Sequence, residues 1–188
     1  MRPGVRVIGI DDGPFERSHR GDVRVVGAIY QGGTRLEGIL SSKVRRDGRN
    51  ATDRLVQMIG ASRFAPQLHY VMLDGIALAG FNVIDLPRLS AELELPALVV
   101  CRTAPDLEAV HDALQNHVPG GAAKWKLVQR AGPVLPIEGL HCQLAGLGRD
   151  EAAALIRLTR RNGKLPEPIR TAHLVATGIE TGASHGRA

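Results

Sequence analysis

The sequence predicts an α/β protein built on a mixed sheet, in which an antiparallel three-strand meander is followed by parallel strands and helices cover both faces. Two observations lead to this fold class. Three strand-like apolar runs precede the first helix-like segment, and from residue 51 onward helical and strand patterns alternate. The 188 residues, 44% hydrophobic and 23% charged, fit one globular unit, so we expect a single domain over 1–188.

The antiparallel meander is predicted from the start of the chain. Strand-like runs lie at 5–10, 23–30 and 35–46. The first run ends abruptly at the acidic Gly-Pro turn of residues 11–14, and the turn-type segment 31–34 joins the second run to the third as a hairpin. Three strands are therefore expected before any helix.

Beyond the meander, capping residues, prolines and apolar spacing predict an alternation of helices and strands. Pro96, for example, separates a helix from the apolar strand ALVVC. After the loop at Gly120 and Gly121, a polar strand is predicted. The expected helices lie near 51–62, 85–94, 105–117, 149–162 and 167–177, and the expected strands lie near 69–74, 97–101, 124–130 and within 134–145.

The charge balance and the aromatic content limit the function classes. The formal charge of +5 favours an acidic partner such as nucleic acid but does not require one. Aromatic residues make up only 3% of the chain, which argues against a module that stacks a series of bases. Cys101 and Cys142 lie in apolar runs and are expected to be free and buried. Without a signal-peptide pattern or a membrane-spanning run, we expect a cytoplasmic protein.

Carboxylates follow several of the predicted strands at the point where each strand ends. They are Asp11, Asp12, Asp47 and Asp74. Because the carboxyl ends of parallel strands meet at one edge of a sheet, the acids after the first and fourth strands are expected to converge. Oxygen ligands of this kind suit Mg²⁺ or Mn²⁺ and metal-assisted phosphodiester hydrolysis. Taken alone, each acid is better explained by ordinary Asp-Gly turn chemistry, and the combination is what favours a metal site.

Further candidate side chains each allow two interpretations. Arg46, flanked by Arg45 and Arg49, either neutralises a phosphate or belongs to a solvated face. Asn82 either hydrogen-bonds a base or caps a helix. Phe15 either stacks on or wedges into DNA, or packs in the core, as does Phe81 by the same reasoning.

The last predicted helix places Arg170 and His173 on one side. If this helix crosses the acidic crevice, His173 can position water or move a proton and Arg170 can hold a phosphate, whereas an isolated histidine is more often structural. His141 and His185 have weaker cases. The sequence contains no P-loop, no GxGxxG fingerprint and no Ser-His-Asp arrangement, which disfavours kinase, dehydrogenase and triad-hydrolase functions.

Several motifs together carry a family resemblance that covers nearly the whole chain in order. They are GIDDGPF at 9–15, RDG at 46–48, LDGIALAGFNVID at 73–85, LPEPIRTAH at 165–173 and the terminal GASHGRA. In these motifs the chain resembles the archaeal family of endonuclease V-like proteins described as endonuclease dU.

More distantly, the chain is similar to endonuclease V, and this similarity implies a ribonuclease H-like fold with Asp11, Asp47 and Asp74 around Mg²⁺. Two departures limit what can be carried over. The Pro-Tyr-Ile-Pro wedge of endonuclease V falls on TRLEGILSS, which contains neither proline nor tyrosine, and its later Gly-His motif falls near Ala145 and Gly146. Specificity for inosine is therefore not implied.

The resemblance to the dU family implies a Mg²⁺-dependent endonuclease that cleaves DNA at deoxyuridine or related deaminated bases, with Mn²⁺ as an alternative ion. A noncatalytic nucleic-acid-binding module and a ribonuclease that uses the same site are the alternatives. The expected catalytic residues are Asp11, Asp12, Asp47, Asp74 and His173, the expected metal ligands are Asp11, Asp47 and Asp74, and the expected substrate contacts are Phe15, Arg46, Asn82 and Arg170.

Overall fold

The computed structural model describes residues 4–184, which form nine strands and six α-helices within that range. The strands are β1 (Arg6–Asp12), β2 (Asp22–Gln31), β3 (Arg35–Arg45), β4 (Tyr70–Asp74), β5 (Ala77–Leu78), β6 (Asn82–Val83), β7 (Ala97–Cys101), β8 (Leu135–Ile137) and β9 (Leu140–Ala145). The helices are α1 (Ala51–Gly60), α2 (Leu86–Leu93), α3 (Leu107–His117), α4 (Gly121–Arg130), α5 (Arg149–Thr159) and α6 (Glu167–Thr181).

Seven strands form one mixed sheet in the order β3-β2-β1-β4-β7-β9-β8. The β1, β2 and β3 strands pair antiparallel, β1, β4 and β7 pair parallel, and β9 returns antiparallel to β7. The predicted mixed sheet with an antiparallel start is therefore confirmed. β5 and β6, which were not predicted as strands, form a short separate hairpin.

Alternating side chains of the sheet build a hydrophobic core on each face. In β1, Ile8 and Ile10 pack with α1 and α2 on one face, whereas Val7 packs with α5 and the start of α6 on the other. The cysteines follow the same alternation. Cys101 packs on the α1 and α2 side and Cys142 on the α5 side, and both are free, with only Cys142 fully buried. Within residues 4–184, no helix is long and apolar enough to cross a bilayer.

The predicted polar strand at 124–130 is wrong, because these residues belong to α4. The buried positions of α4, Gly121, Lys124 and Val128, follow helical rather than alternating spacing. Gly121 allows the turn, since a side chain there would overlap the carbonyl of Leu114 in α3. The two helices therefore pack directly against each other, an interaction that has no signature in the local sequence pattern.

α6 crosses β1 and β2 at unusually close range because residue 9 has no side chain. A Cβ at Gly9 would lie 2.6 Å from the Cβ of Pro168 and would also overlap the Pro168 and Ile169 backbone. Further along α6, Ala172 and Ala176 are fully buried against β2. Small residues on both elements thus set the distance between α6 and the sheet.

We expect Gly9→Ala to destabilise the protein, because the added methyl group must push α6 away from β1. Overpacking of this kind costs roughly 1–3 kcal/mol. The free energy of unfolding in urea measures the effect. Gly60→Ala is the matched control, since nothing lies within 4 Å of a Cβ there. Equal stability of the two variants would contradict the close packing described above.

Candidate active site

Two carboxylates meet where the parallel strands β1 and β4 end. Ile10 lies beside Leu73 in the register, so Asp11 and Asp74 follow at adjacent positions. Both line an open cleft of about 440 Å³, here called the carboxylate cleft. Its walls are Asp11, Asp12, Gly13, Pro14, Phe15, Asp74, His173 and Thr177. The acids after the first and fourth strands therefore lie together in the structure, as the sequence predicts.

His173 reaches this cleft from α6. Its Nδ1 lies 2.8 Å from Oδ2 of Asp11, and this hydrogen bond is the main cause that raises the pKa of His173. Because a carboxylate only accepts, Nδ1 carries the proton in this contact. The buried Nε2 has no hydrogen-bond partner within the described chain. In the neutral ring this nitrogen has a free lone pair, so His173 is oriented to exchange a proton or to bind a ligand.

Burial and the charge of Asp11 oppose ionisation of Asp12 and Asp74 in the cleft. Burial, followed by the charge of Asp11, raises the pKa of Asp74 to about 6. The same two causes, in the same order, raise the pKa of Asp12 to about 7. A cation bound between Asp11 and Asp74 would relieve this repulsion. Perturbed acids of this kind are typical of functional sites.

The donor set fits a hard divalent ion, although not as a complete protein cage. Within residues 4–184, no group of three or more His, Cys, Asp or Glu side chains is arranged to hold a metal. Mg²⁺ does not need such a cage, because it is usually bound by one or two carboxylates and completes its shell with water and phosphate oxygens. Asp11 and Asp74 therefore match what this ion requires.

Asp47, a predicted metal ligand, does not line the carboxylate cleft. Its Oδ1 accepts a hydrogen bond from the backbone N–H of Phe81 at 2.9 Å, and its own N–H donates to the Ala79 carbonyl. Its backbone is left-handed, with φ of 50°. Gly80 makes the contact possible, since a Cβ there would collide with the Asp47 carboxylate. Asp47 thus holds the tip of the β5–β6 hairpin.

Asp12 holds the same hairpin tip from the other side. Its Oδ2 accepts a hydrogen bond from Ala79 N–H at 2.8 Å, while its own N–H donates to Oδ1 of Asp11 at 2.9 Å. The carboxylates of Asp12 and Asp47 therefore fix two peptides of one turn, those that carry the N–H groups of Ala79 and Phe81. The hairpin begins just after Asp74, so this turn is held beside the cleft.

Lys124 is a buried cation near the site that the sequence did not reveal. It is 2% exposed, and its Nζ donates to the Asp47 carbonyl at 2.5 Å. Burial is the main cause that lowers its pKa. Because residues 124–130 were interpreted as a strand, the helical spacing that brings Lys124 inward was missed.

Arg46 and Phe15, two predicted substrate contacts, fix a loop at the edge of the cleft. Nη1 of Arg46 donates to the carbonyls of Arg17 and His19, each at 2.5 Å. Its guanidinium also lies 5.3 Å from the centre of the Phe15 ring, which borders the cleft. Arg46 therefore contributes directly to the shape of the loop that carries Phe15.

Asn82 and Arg170, the other two predicted substrate contacts, lie outside the cleft. Asn82 is fully buried: its Oδ1 accepts from the Ala51 N–H at the start of α1, and its Nδ2 donates to the Arg45 carbonyl and to Oδ1 of Asn50. Helix α2, which Asn82 was expected to cap as the alternative, is capped by Asp85, and the base contact stays a prediction. Arg170 forms an ion pair with Glu167 at 2.7 Å. These internal contacts explain why polar residues in motifs need not face substrate.

Arg102 is a functional candidate that the sequence analysis missed. It follows β7, the parallel neighbour of β4, and its positive charge lowers the pKa of both Asp74 and His173. Within residues 4–184 it has no hydrogen bond or ion pair of its own through its side chain. In the sequence, the signal that could have identified Arg102 was its position directly after a strand that pairs parallel with its neighbour.

Of the remaining histidine candidates, His141 lies within the described residues and does not line the carboxylate cleft. His141 lies in β9 opposite Cys101, away from the cleft lining. His185 and the end of the GASHGRA motif lie outside the described residues.

We expect substitutions of Asp47 and Asp74 to change stability in opposite directions in metal-free buffer at neutral pH. Asp74→Asn removes a buried charge beside Asp11 and should raise the free energy of unfolding, since functional groups are often destabilising. Asp47→Ala leaves the Phe81 N–H without its partner and should lower the free energy of unfolding by roughly 1–3 kcal/mol.

Urea unfolding with EDTA measures both effects. Asp47→Asn is the control, because asparagine keeps an acceptor oxygen and tolerates left-handed backbone. The interpretation fails if Asp74→Asn is as destabilising as Asp47→Ala.

Comparison with known proteins identifies relatives over nearly the full chain. A family model described as Endonuclease dU matches residues 3–180. The UPF0215 protein of Deinococcus radiodurans is 51% identical over 180 residues, covering 96% of this chain and 91% of its own. A UPF0215 protein of Methanothermobacter thermautotrophicus is 40% identical, covering 100% of this chain and 94% of its own.

Solved structures support the same assignment. A protein of unknown function from Archaeoglobus fulgidus superposes with a TM-score of 0.87 at 37% identity, covering 93% of this chain and 98% of that one. Endonuclease V of Ciona intestinalis, solved with a 24mer DNA containing an inosine, gives a TM-score of 0.56 at 12% identity, covering 89% and 82%. The latter similarity is one of fold, and it confirms the predicted fold class. The chain belongs to the endonuclease dU family.

Proposed function

We propose that this protein is a metal-dependent DNA endonuclease that hydrolyses a phosphodiester near a deaminated base, with deoxyuridine as the first candidate. The observation that carries the proposal is the pairing of Asp11 and Asp74 at parallel strand ends with His173 hydrogen-bonded to Asp11. The name of the Endonuclease dU family supports the substrate. The DNA complex of Ciona endonuclease V supports DNA as the polymer.

Asp11 and Asp74 are the residues that would hold Mg²⁺, or Mn²⁺ in its place. The bound ion would supply positive charge that offsets the charge developing on the phosphate during hydrolysis. Asp47 stays a predicted ligand, although its carboxylate is held by Phe81 N–H and lies 3.2 Å from Nε of Arg46 in the described structure. Asp12 supports the arrangement through Asp11 and Ala79.

His173 and Arg102 complete the chemistry that the chain itself provides. The contact with Asp11 fixes the ring of His173 and leaves Nε2 free to accept a proton from water or return one to the leaving oxygen. Arg102 brings a positive charge close to Asp74 and is the free cation best placed to bind a phosphate beside these acids. His173 thus serves proton transfer, and Arg102 serves to bind the negatively charged phosphate.

Cleavage of uracil-containing and normal oligonucleotides with Mg²⁺ tests the proposed function. We expect the wild type to nick the uracil substrate. Asp74→Asn should reduce the nicking rate by more than roughly 10–100-fold, the loss that is typical when a group that only orients a ligand is removed. Asp150→Asn, an exposed acid in α5, is the control and should cleave normally.

Matched RNA substrates belong in the same assay. Equal nicking by wild type and Asp74→Asn would contradict the proposed cleavage at this site. Salt-sensitive binding without any product would favour a noncatalytic nucleic-acid-binding module. Preferential cleavage of the RNA would favour the ribonuclease alternative.

We expect Arg102→Ala to weaken DNA binding, because a cation beside the scissile phosphate is lost. The slope of log affinity against log salt should become shallower by about 0.9, the value for one phosphate contact. Binding measured over a salt series in EDTA gives this slope. Arg161→Ala, which removes an exposed arginine after α5, is the comparison. An unchanged slope in Arg102→Ala would remove Arg102 from the phosphate contacts.

A further inference from the structure

A second cleft, here called the side cleft, adjoins the carboxylate cleft. It has a volume of about 160 Å³ and is lined by Pro14, Phe15, His19, Asp22, Val23, Arg24, Lys43 and Glu180. Pro14 and Phe15 line both clefts, so the two spaces share one wall. A DNA strand whose backbone lies in the carboxylate cleft therefore passes the entrance of the side cleft.

The walls of the side cleft are fixed before any ligand binds. Arg46 holds the carbonyls of Arg17 and His19, and His19 in turn contacts the Asp22 carbonyl through Nε2 at 3.1 Å. Nε of Arg24 lies 2.8 Å from Glu180 of α6, which closes the opposite side. Ordering such walls in advance lowers the entropy lost on binding.

The side cleft is lined by the cations Arg24 and Lys43 and by the carboxylates Asp22 and Glu180, and an anion is favoured locally at Lys43. Arg24 and Lys43 lie directly opposite each other in the β2–β3 register, an arrangement in which like charges repel. Glu180 compensates Arg24, whereas the ammonium group of Lys43 has no ion pair among the residues that the structure describes. A phosphate near Lys43 would supply the missing negative charge.

The ring surfaces and the size of the side cleft favour a single base. Phe15 offers an aromatic ring, with the His19 ring tilted beside it at 6.4 Å between centroids. The volume of about 160 Å³ is several times the roughly 30 Å³ that one water molecule occupies in the liquid, so a single six-membered ring is a suitable occupant. Asp22 and Glu180 provide acceptors for the N–H of a base.

We propose that the side cleft binds one unstacked pyrimidine base of the DNA strand, with the base against Phe15 and its phosphate near Lys43. This inference rests on the proposed function, because it takes the strand in the carboxylate cleft to be the substrate. Enzymes that act at single bases commonly extrude a nucleotide into a pocket of this kind, where an aromatic ring stacks on it. The few aromatic residues of the chain then suffice, since one ring serves one base.

A double-mutant cycle between Phe15 and the base tests the proposal. Each oligonucleotide carries one abasic analogue, either in place of uracil or in place of one of the two nucleotides on each side of it. The affinity of each strand for wild type and for Phe15→Leu is measured in EDTA. At one position we expect removal of the base to weaken wild-type binding by roughly tenfold, in line with the stacking contribution of one base. Phe15→Leu should bind the intact and abasic strands equally at that position.

Two controls separate the side cleft from general effects. Phe64→Leu changes another partly buried ring and should keep the wild-type ratio at every position. Lys43→Ala should weaken binding of all the strands and reduce the salt dependence, whereas Lys164→Ala, an exposed lysine before α6, should not.

The outcomes distinguish this proposal from the proposed function. Coupling between Phe15 and one base without any cleavage in Mg²⁺ would support the side cleft and contradict the endonuclease. Cleavage without coupling at any position, or an unchanged ratio in Phe15→Leu, would overturn the side cleft and leave the endonuclease standing. Absence of DNA binding by the wild type would overturn both.

Discussion

The close packing of α6 on β1 is the constraint on which the candidate site depends. Gly9 has no side chain, so the start of α6 lies directly against the strand that ends in Asp11. About one turn further along α6, this position brings His173 within 2.8 Å of Asp11. A wider separation would remove this hydrogen bond, which orients the imidazole ring, while the carboxylates would remain at the strand ends. The distance at which α6 packs on β1 therefore sets the position of His173 relative to Asp11.

The four predicted acids divide into two functional pairs according to their surroundings. Asp11 and Asp74 face the cleft at the ends of neighbouring parallel strands. Asp12 and Asp47 use their oxygens to hold the backbone at Ala79 and Phe81. The turn interpretation of Asp-Gly sequences thus fits Asp12 and Asp47, whereas the ligand interpretation of Asp11 and Asp74 stays a prediction. Asp12 belongs to both settings, because its carboxylate accepts the Ala79 N–H while burial and the charge of Asp11 raise its pKa to about 7.

The features that could be predicted from the sequence are those that follow from the order of the strands and from local turn, capping and proline residues. The acids after β1 and β4 could be placed together because parallel neighbours end at one edge. Lys124 and Asn82 could not be placed, since their burial comes from packing of α4 and the hairpin against distant segments. Arg102 lacked any motif, and its proximity to Asp74 depends on the pairing of β7 with β4. Long-range contacts, rather than residue type, decided these cases.

The contact between His173 and Asp11 joins positions that are 162 residues apart. During synthesis the strand that carries Asp11 leaves the ribosome early, and the imidazole that completes the pair is added only with α6. An incomplete nascent chain therefore carries the acids without the imidazole that is hydrogen-bonded to Asp11. Under the proposed function, this order of assembly would delay cleavage until the fold around the carboxylates has closed.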